Sequence, residues 1–403
     1  MITKEENERL TRVGPGTPGG ELLRRYWYPV AAIDDLEDAS TKFVRVLGED
    51  LVLFKDKSGN VGLIQDHCAH RGASLVYGRV EERGISCAYH GWLYDTAGNC
   101  LETPAEPADS RFYLTVKVKA YPVEAMGGLL WAYFGPLPAP VLPRYDMIEQ
   151  AKVVHVQEFP CYNANWVQLV ENTIDGAHIY VLHQETLKQT GTVTNTTRGL
   201  LDDLKEFSYW ECPFGIMRHQ ELIDGYIEDD PVVFPNTLRR MNQLVIAVPI
   251  DDTHTAKWDI FVADESRGAV NEHSDGSAGD VIEHYVLHHE ETELPPDALH
   301  PYPRHRMDRL RLQDFMAVET QGPISPRADW RLGSSDRGIA LFWSILAREV
   351  GKVEDGEDPI GVIRDPAQAI LDTNFDGARD LAGRATWPDG ELVYPKREAA
   401  AVR

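Results

Sequence analysis

With 403 residues, 43% hydrophobic and 26% charged, the chain has an ordinary globular composition and enough length for roughly two or three domains around a sizeable core. A net charge of −24 argues against nucleic acid or anionic membrane as a partner, although a few local Arg residues can still receive an anionic small substrate. Five Cys at irregular spacing (68, 87, 100, 161 and 212) do not make a disulfide scaffold, and the opening M-I-T-K-E-E-N-E-R-L lacks the apolar core of a signal peptide. The longest apolar runs, such as the one around Gly127–Gly135, are too short to span a bilayer, so a cytoplasmic location is expected.

Residues 14–28 begin as a loop in which Thr17 can cap a short helix with Pro18 in its first position. From Tyr28 to about Gly135 the pattern is short β-strands, among them Phe43–Val46, Leu51–Lys55 and Val61–Gln65, with a hairpin turn over D-K-S-G-N at 56–60. Two matched loops interrupt these strands: Cys68-Ala69-His70-Arg71 and Cys87-Ala88-Tyr89-His90. A structural zinc site uses the same ligand types, but zinc usually takes both Cys from one loop and both His from another element. One Cys and one His from each loop fits a Rieske 2Fe-2S centre better, with Cys68 and Cys87 on one iron and His70 and His90 on the other.

Four prolines within 136–143 mark a linker. Beyond it, Asn165 to His183 reads N-W-V-Q-L-V-E-N-T-I-D-G-A-H-I-Y-V-L-H, in which a continuous helix would stack Glu171, Asp175 and His178 on one face. The apolar neighbours imply burial, and buried carboxylates and imidazoles need partners. His178 and His183 lie five apart, so a shared ion requires the helix to bulge or break between them. Two His and a carboxylate describe the facial triad of non-haem Fe(II) oxygenases; the plainer reading is a core helix with hydrogen-bonded imidazoles.

Glu206–Cys212, Leu238–Pro249 and Ala256–Ala263 are strand-like, the last two joined across D-D-T-H-T. Residues 264–300 are expected to be a polar surface excursion; His284 and His288 there are better read as a solvated helical face than as metal ligands. A helix over about Arg306 to Thr320, ending at Gly322-Pro323, carries Asp314 among Leu310, Leu312, Phe315 and Met316. Asp308 and Asp329 are rival carboxylates in less apolar settings. Arg218, Arg239 and Arg240 are candidate anchors for a substrate carboxylate.

The motif C-x-H-R-G-A … C-x-Y-H-G-W followed by N-W-x4-E-N-x2-D-x2-H-x4-H resembles the oxygenase (alpha) component of Rieske non-haem iron oxygenases over most of the chain. V-G-P-G-T-P-G-G-E-L-L-R-R-Y-W resembles the phthalate dioxygenase-like branch. F-P-N-T-L-R-R (234–240) and V-P-I-D-D-T-H-T (248–255) look most like its dehydrodivanillate O-demethylase oxygenases. Ala69 and Ala88 stand where the family usually has Pro.

The resemblance implies an α+β protein: an N-terminal helical segment (1–27), an all-β Rieske domain (28–135), a linker (136–145) and a catalytic domain (146–403) with an antiparallel sheet flanked by helices, of the helix-grip type. It selects Asp314 as the third ligand of a mononuclear Fe(II) beside His178 and His183. It also implies O-demethylation of a methoxylated aromatic acid, or else ring cis-dihydroxylation of a phthalate-like one. Gly14 to Gly19 spell G-x-G-x-x-G but precede the first expected strand instead of following one, so they are no nucleotide fingerprint, and electrons would come from a separate NAD(P)H-dependent reductase, with or without a ferredoxin. In the resembled family the assembly is a head-to-tail homo-trimer, or two stacked trimers. Asp175 there bridges a Rieske His of one subunit (His90) and an iron-ligating His (His178) of the next. A non-catalytic Rieske electron carrier and a zinc-stabilised binding protein are the readings of another class.

Overall fold

The computed structural model describes residues 2–38, 40–149, 154–184, 204–223, 225, 227–240, 243–262, 283–286, 292–299, 304–308, 310–371 and 373. Helix α1 (Lys4–Thr11) starts on a capping box between Thr3 and Glu6, and α2 (Pro18–Leu23) starts on Thr17, whose hydroxyl accepts from Gly20 N–H. Antiparallel sheets follow. Strand β1 (Trp27–Ala32) pairs late in the chain with β11 (Leu129–Tyr133), beside β10 (Val123–Met126). Strands β2 (Thr41–Val46), β3 (Glu49–Lys55) and β4 (Val61–Gln65) form a meander closed by β9 (Ala120–Tyr121). The β3–β4 turn is held by the Asp56 carboxylate, which accepts from Asn60 N–H, and by Gly59 at φ 90°. Strands β5 (Arg79–Glu81), β6 (Gly84–Ser86), β7 (Leu93–Tyr94) and β8 (Cys100–Glu102) make the third sheet. A separate apolar cluster beneath it contains Phe54, Ile64, Leu75, Ile85 and Tyr94 together with Cys68 and Cys87.

After β12 (Arg144–Tyr145), an eight-stranded sheet dominates the rest: β13 (Val154–Tyr162), β14 (Leu204–Cys212), β15 (Gly215–Leu222), β16 (Ile227–Val233), β17 (Thr237–Arg240), β18 (Gln243–Pro249), β19 (Thr255–Val262) and β20 (Glu283–Val286). Its order is 14-15-16-17-18-19-13-20, antiparallel except for the last pair. The single strand expected over Leu238–Pro249 is therefore two, β17 and β18, paired antiparallel. In the expected surface excursion, His284 falls on strand β20 rather than on a helix, while His288 and His289 lie outside the described residues.

Among the described residues, helices α3 (Trp166–Ile174), α4 (Ala177–Val181), α5 (Leu310–Glu319) and α6 (Arg337–Glu354) pack on this sheet. Asn165 starts α3, its side chain accepting from Val167 N–H and donating to Thr11 O at 3.0 Å and Asp252 O at 2.8 Å. Gln168 donates to Val318 O (3.1 Å) and Gly322 O (2.9 Å) and accepts from Ser325 N–H (3.0 Å), which ties α3 to the end of α5. These buried bonds fix the two helices that bear the candidate metal ligands relative to each other.

Candidate metal centres

The helix expected over Asn165–His183 is interrupted twice. Asp175 leaves α3 with an extended backbone (ψ 107°), and its Oδ1 accepts from Ala177 N–H at 2.8 Å, starting α4. Gly176 is required here, because a Cβ on it would come within 2.4 Å of the Phe207 ring. His178 sits in α4, and His183 lies two residues past its end. These breaks bring both imidazoles to one point, which a regular helix would not allow.

At that point they meet Asp314 of α5. Oδ1 of Asp314 lies 3.2 Å from His183 Nε2 and 3.7 Å from His178 Nε2, and the three ligand atoms are all within 4.8 Å of one another. The other ring nitrogens are committed: Nδ1 of His178 donates to Asp175 O at 2.6 Å, and Nδ1 of His183 to Gln313 Oε1 at 2.7 Å. With their protons on Nδ1, the two Nε2 atoms present lone pairs, and the buried Asp314 Oδ1 facing them makes no hydrogen bond among the described residues. Three electron-pair donors directed at one another inside a protein call for a cation. Donor separations of this size also suit neighbouring ligands about 2.1 Å from one metal ion. The residues therefore fit a mononuclear iron with open positions.

Electrostatics tie the three groups together. Burial opposes the charge on Asp314, but the two imidazoles and Lys257 outweigh it and keep the carboxyl below its ordinary pKa. Burial pushes the His178 imidazole down and keeps it neutral, the form that ligates. At His183 burial is outweighed by Asp314 and Gln313, so its pKa rises.

Sequence neighbours of the triad go elsewhere. Glu171 is not on the metal face: its carboxylate takes a two-pronged ion pair from Arg327 (2.8 and 2.7 Å) and a hydrogen bond from Trp343 Nε1 (2.7 Å). Asp308 is exposed and paired with Arg306, and Asp329 is exposed, so neither competes with Asp314. The Asp175 carboxylate lies 3.9 Å from His178 Nδ1, and it is the carbonyl of the same residue that accepts the ring proton. Of the three arginines, Arg218 is buried against Asp230 and Arg240 pairs with Glu228 at 3.2 Å. Strand alternation turns Arg239 to the opposite face from Arg240. Gln313, which orients His183, carried no signal in the sequence beyond its place next to Asp314.

The two Cys/His loops are built alike. In one, Cys68 N–H donates to Ala73 O and Gly72 N–H to Cys68 O, both at 2.9 Å; in the other, Cys87 N–H donates to Trp92 O at 2.8 Å and Gly91 N–H to Cys87 O at 2.9 Å. Gly72 and Gly91 close these turns at φ 73° and 74°. Both Cys side chains root in the apolar cluster beneath, while His70 and His90 stand outward with Nδ1 atoms 3.1 Å apart and His70 stacked on Trp92. Burial and the neighbouring Cys87 push the Cys68 thiol up, so both sulfurs ionised together need positive charge between them. Two thiols below and two converging imidazole nitrogens above fit a Rieske cluster. Tyr94 braces the first loop: Ala69 N–H donates to its hydroxyl at 3.2 Å, and that hydroxyl is 3.3 Å from Cys68 Sγ. Proline at position 69 has no N–H to make that bond, so the departure from the family pattern exchanges ring rigidity for a hydrogen bond.

Comparison with known proteins agrees with both centres. The Rieske [2Fe-2S] domain family matches residues 26–122. The chain is 38% identical over 388 residues to the 5,5'-dehydrodivanillate O-demethylase oxygenase subunit of Sphingobium sp. (strain NBRC 103272 / SYK-6), covering 91% of this chain and 85% of that one. It is 31% identical over 427 residues to the phthalate 4,5-dioxygenase oxygenase subunit of Pseudomonas putida, covering 96% of each. In fold it resembles the terminal oxygenase of carbazole 1,9a-dioxygenase from Nocardioides aromaticivorans IC177, with a TM-score of 0.57 at 19% identity over 86% of this chain and 96% of that one. The chain therefore belongs to the oxygenase subunits of the Rieske non-haem iron oxygenases, oxidoreductases that carry a 2Fe-2S Rieske cluster and a mononuclear iron and work with a separate electron-supplying component.

Proposed function

We propose that this subunit O-demethylates a methoxylated aromatic acid, with His178, His183 and Asp314 holding the mononuclear iron. Cys68 and Cys87 hold one iron of the cluster, and His70 and His90 the other. The observation that carries the iron assignment is the convergence of two Nε2 lone pairs on a buried carboxylate oxygen that makes no hydrogen bond among the described residues. When bound, the cluster delivers single electrons and the iron activates O2. The residues supply geometry. Asp175 O and Gln313 Oε1 fix the ring tautomers, and three protein ligands would leave positions on the iron for O2. Hydroxylation of the methoxy carbon gives a hemiacetal, which collapses to a phenol and formaldehyde. Likeness to an enzyme named as an O-demethylase over 91% of the chain supports this chemistry. Likeness to phthalate 4,5-dioxygenase supports ring cis-dihydroxylation as the second reading. Incubation of the subunit and a matched NAD(P)H-dependent reductase with 4-hydroxy-3-methoxybenzoate should release formaldehyde stoichiometric with NAD(P)H consumed. A dihydrodiol without formaldehyde would establish the second reading instead.

The same proposal covers domain limits of 28–135 and 146–403 around a 136–145 linker, a cytoplasmic location, and a homo-trimer or stacked hexamer. Among the described residues no helix is long and apolar enough to cross a membrane. In the trimer, His90 of one subunit would reach the half-buried Asp175 carboxylate of the next, which has His178 on its other side. Asp175→Asn retains the backbone carbonyl that holds His178 Nδ1. Both metal centres should therefore load normally while cluster reoxidation by O2 and substrate slows by about 10-fold or more. Rapid-mixing absorbance measures this; an unchanged reoxidation rate, or an active monomer in sedimentation, defeats the bridging role.

A further inference from the structure

Strand register places one polar face of the large sheet against the metal-bearing helices. Tyr209 stands opposite Arg218, Arg218 opposite Asp230, Arg240 opposite Gln243, Val245 opposite Asp259, and Ala247 opposite Lys257. Arg218 Nη1 donates to Thr173 O of α3 at 3.0 Å, and Tyr180 of α4 donates to Gln220 Oε1 at 3.2 Å, so this face meets α3 and α4. The charges on it reach the triad: Lys257 bears on Asp314, and Arg240 on His183.

Most polar groups on this face answer one another. Arg218 pairs with Asp230, and Glu228 takes Arg240 and Gln220. Asp259 differs. It is 1% exposed, and Lys257 Nζ lies 3.5 Å from its Oδ2. Among the described residues no group donates a hydrogen bond to either carboxylate oxygen. A buried carboxylate that accepts no hydrogen bond among the described residues, with Lys257 standing 3.5 Å off, keeps unused acceptor capacity, so it suits a ligand with an O–H to give and disfavours an anionic group at the same spot.

We propose that Asp259 is a specificity-determining residue that accepts a hydrogen bond from a phenolic hydroxyl on the aromatic substrate, with Lys257 balancing its charge. This rests on the aromatic-acid reading above and narrows it to hydroxylated rings. A site built to bond a hydroxyl discriminates against the analogue lacking it, because its own polar group is then left unpaired.

The test is binding without turnover. Holoprotein, oxidised and without reductase, is titrated calorimetrically with 4-hydroxy-3-methoxybenzoate and with 3-methoxybenzoate, which lacks only the hydroxyl. Wild type should bind the hydroxylated acid about 10- to 100-fold more tightly, as expected of a hydrogen bond to a charged group. Asp259→Leu, similar in shape but without acceptors, should reduce that ratio to below about 3, with iron content and cluster spectrum unchanged. Should that variant fail to load its metals, Asp259→Ala, which also lacks an acceptor and adds no bulk, carries the same comparison. Equal binding of both acids by wild type overturns the assignment and leaves the aromatic-acid reading standing, as does a full hydroxyl preference in either variant. Binding of neither acid by wild type overturns the substrate class and the assignment together.

Discussion

Asp314→Ala is expected to leave a protein with the visible spectrum of an intact cluster, no mononuclear iron and turnover reduced more than about 100-fold. Loss of a partner outside the ligand shell already costs roughly 10- to 100-fold in metal affinity or activity, and here the ligand itself goes. Without the carboxylate, His178 and His183 keep their bonds to Asp175 O and Gln313, so the rings stay oriented but have one donor too few. Iron analysis against absorbance separates the two centres. Cys87→Ala is the reciprocal control and should lose the cluster absorbance. Full activity in Asp314→Ala would require another carboxylate at the iron, and both Asp308 and Asp329 are exposed and remote in character from that site.

Arg327→Ala should have the largest effect on stability, about 3–5 kcal/mol, because it strands the buried Glu171 carboxylate. The pair is enclosed: the two side chains are 1% and 5% exposed, and the guanidinium lies 4.9 Å from the Trp343 ring and 5.2 Å from that of Trp330. Arg327→Met combined with Glu171→Leu removes both charges and should lose much less than the single variant. Denaturant unfolding monitored by tryptophan fluorescence measures both; equal losses would mean that packing, not the unpaired charge, sets the cost. Because α3 precedes the break that places His178, iron retention should fall in parallel with stability in Arg327→Ala.

How much of this could be read from the sequence differs from residue to residue. The Cys/His loops were legible because four ligand-type residues recur in two short matched frames, which apolar packing does not produce. His178, His183 and Asp314 were legible through their apolar surroundings and a family motif. Along an unbroken helix Glu171 would share a face with Asp175 and His178, which is why spacing alone misplaces it. The extended backbone at Asp175 rotates everything after it, and Glu171 turns to Arg327, 156 residues away. Leu238–Pro249 reads as one strand because no Gly or Pro marks the reversal between β17 and β18. Arg239 and Arg240, adjacent letters, lie on opposite faces, and only the strand phase tells which one faces the helices. Asp259 left a faint trace, since Lys257 and Asp259 alternate with buried Trp258 and Ile260. Nothing in one strand reveals which facing groups will satisfy it.

The anchoring of α1 has a consequence for how the chain is made. Asn7 Nδ2 donates to Ser325 O, its Oδ1 accepts from Arg327 across 320 positions, and Thr11 O accepts from both Asn165 and Trp166. A ribosome adding about 5–20 residues per second exposes the first helix roughly 15–60 s before its last partner emerges. Throughout that interval α1 lacks its bonds to Ser325 and Arg327, and an isolated helix of this length is marginal in water. The first segment to be synthesised is thus among the last to lock. Fragments truncated before residue 325 should leave it accessible to protease however completely the β-rich part between has folded.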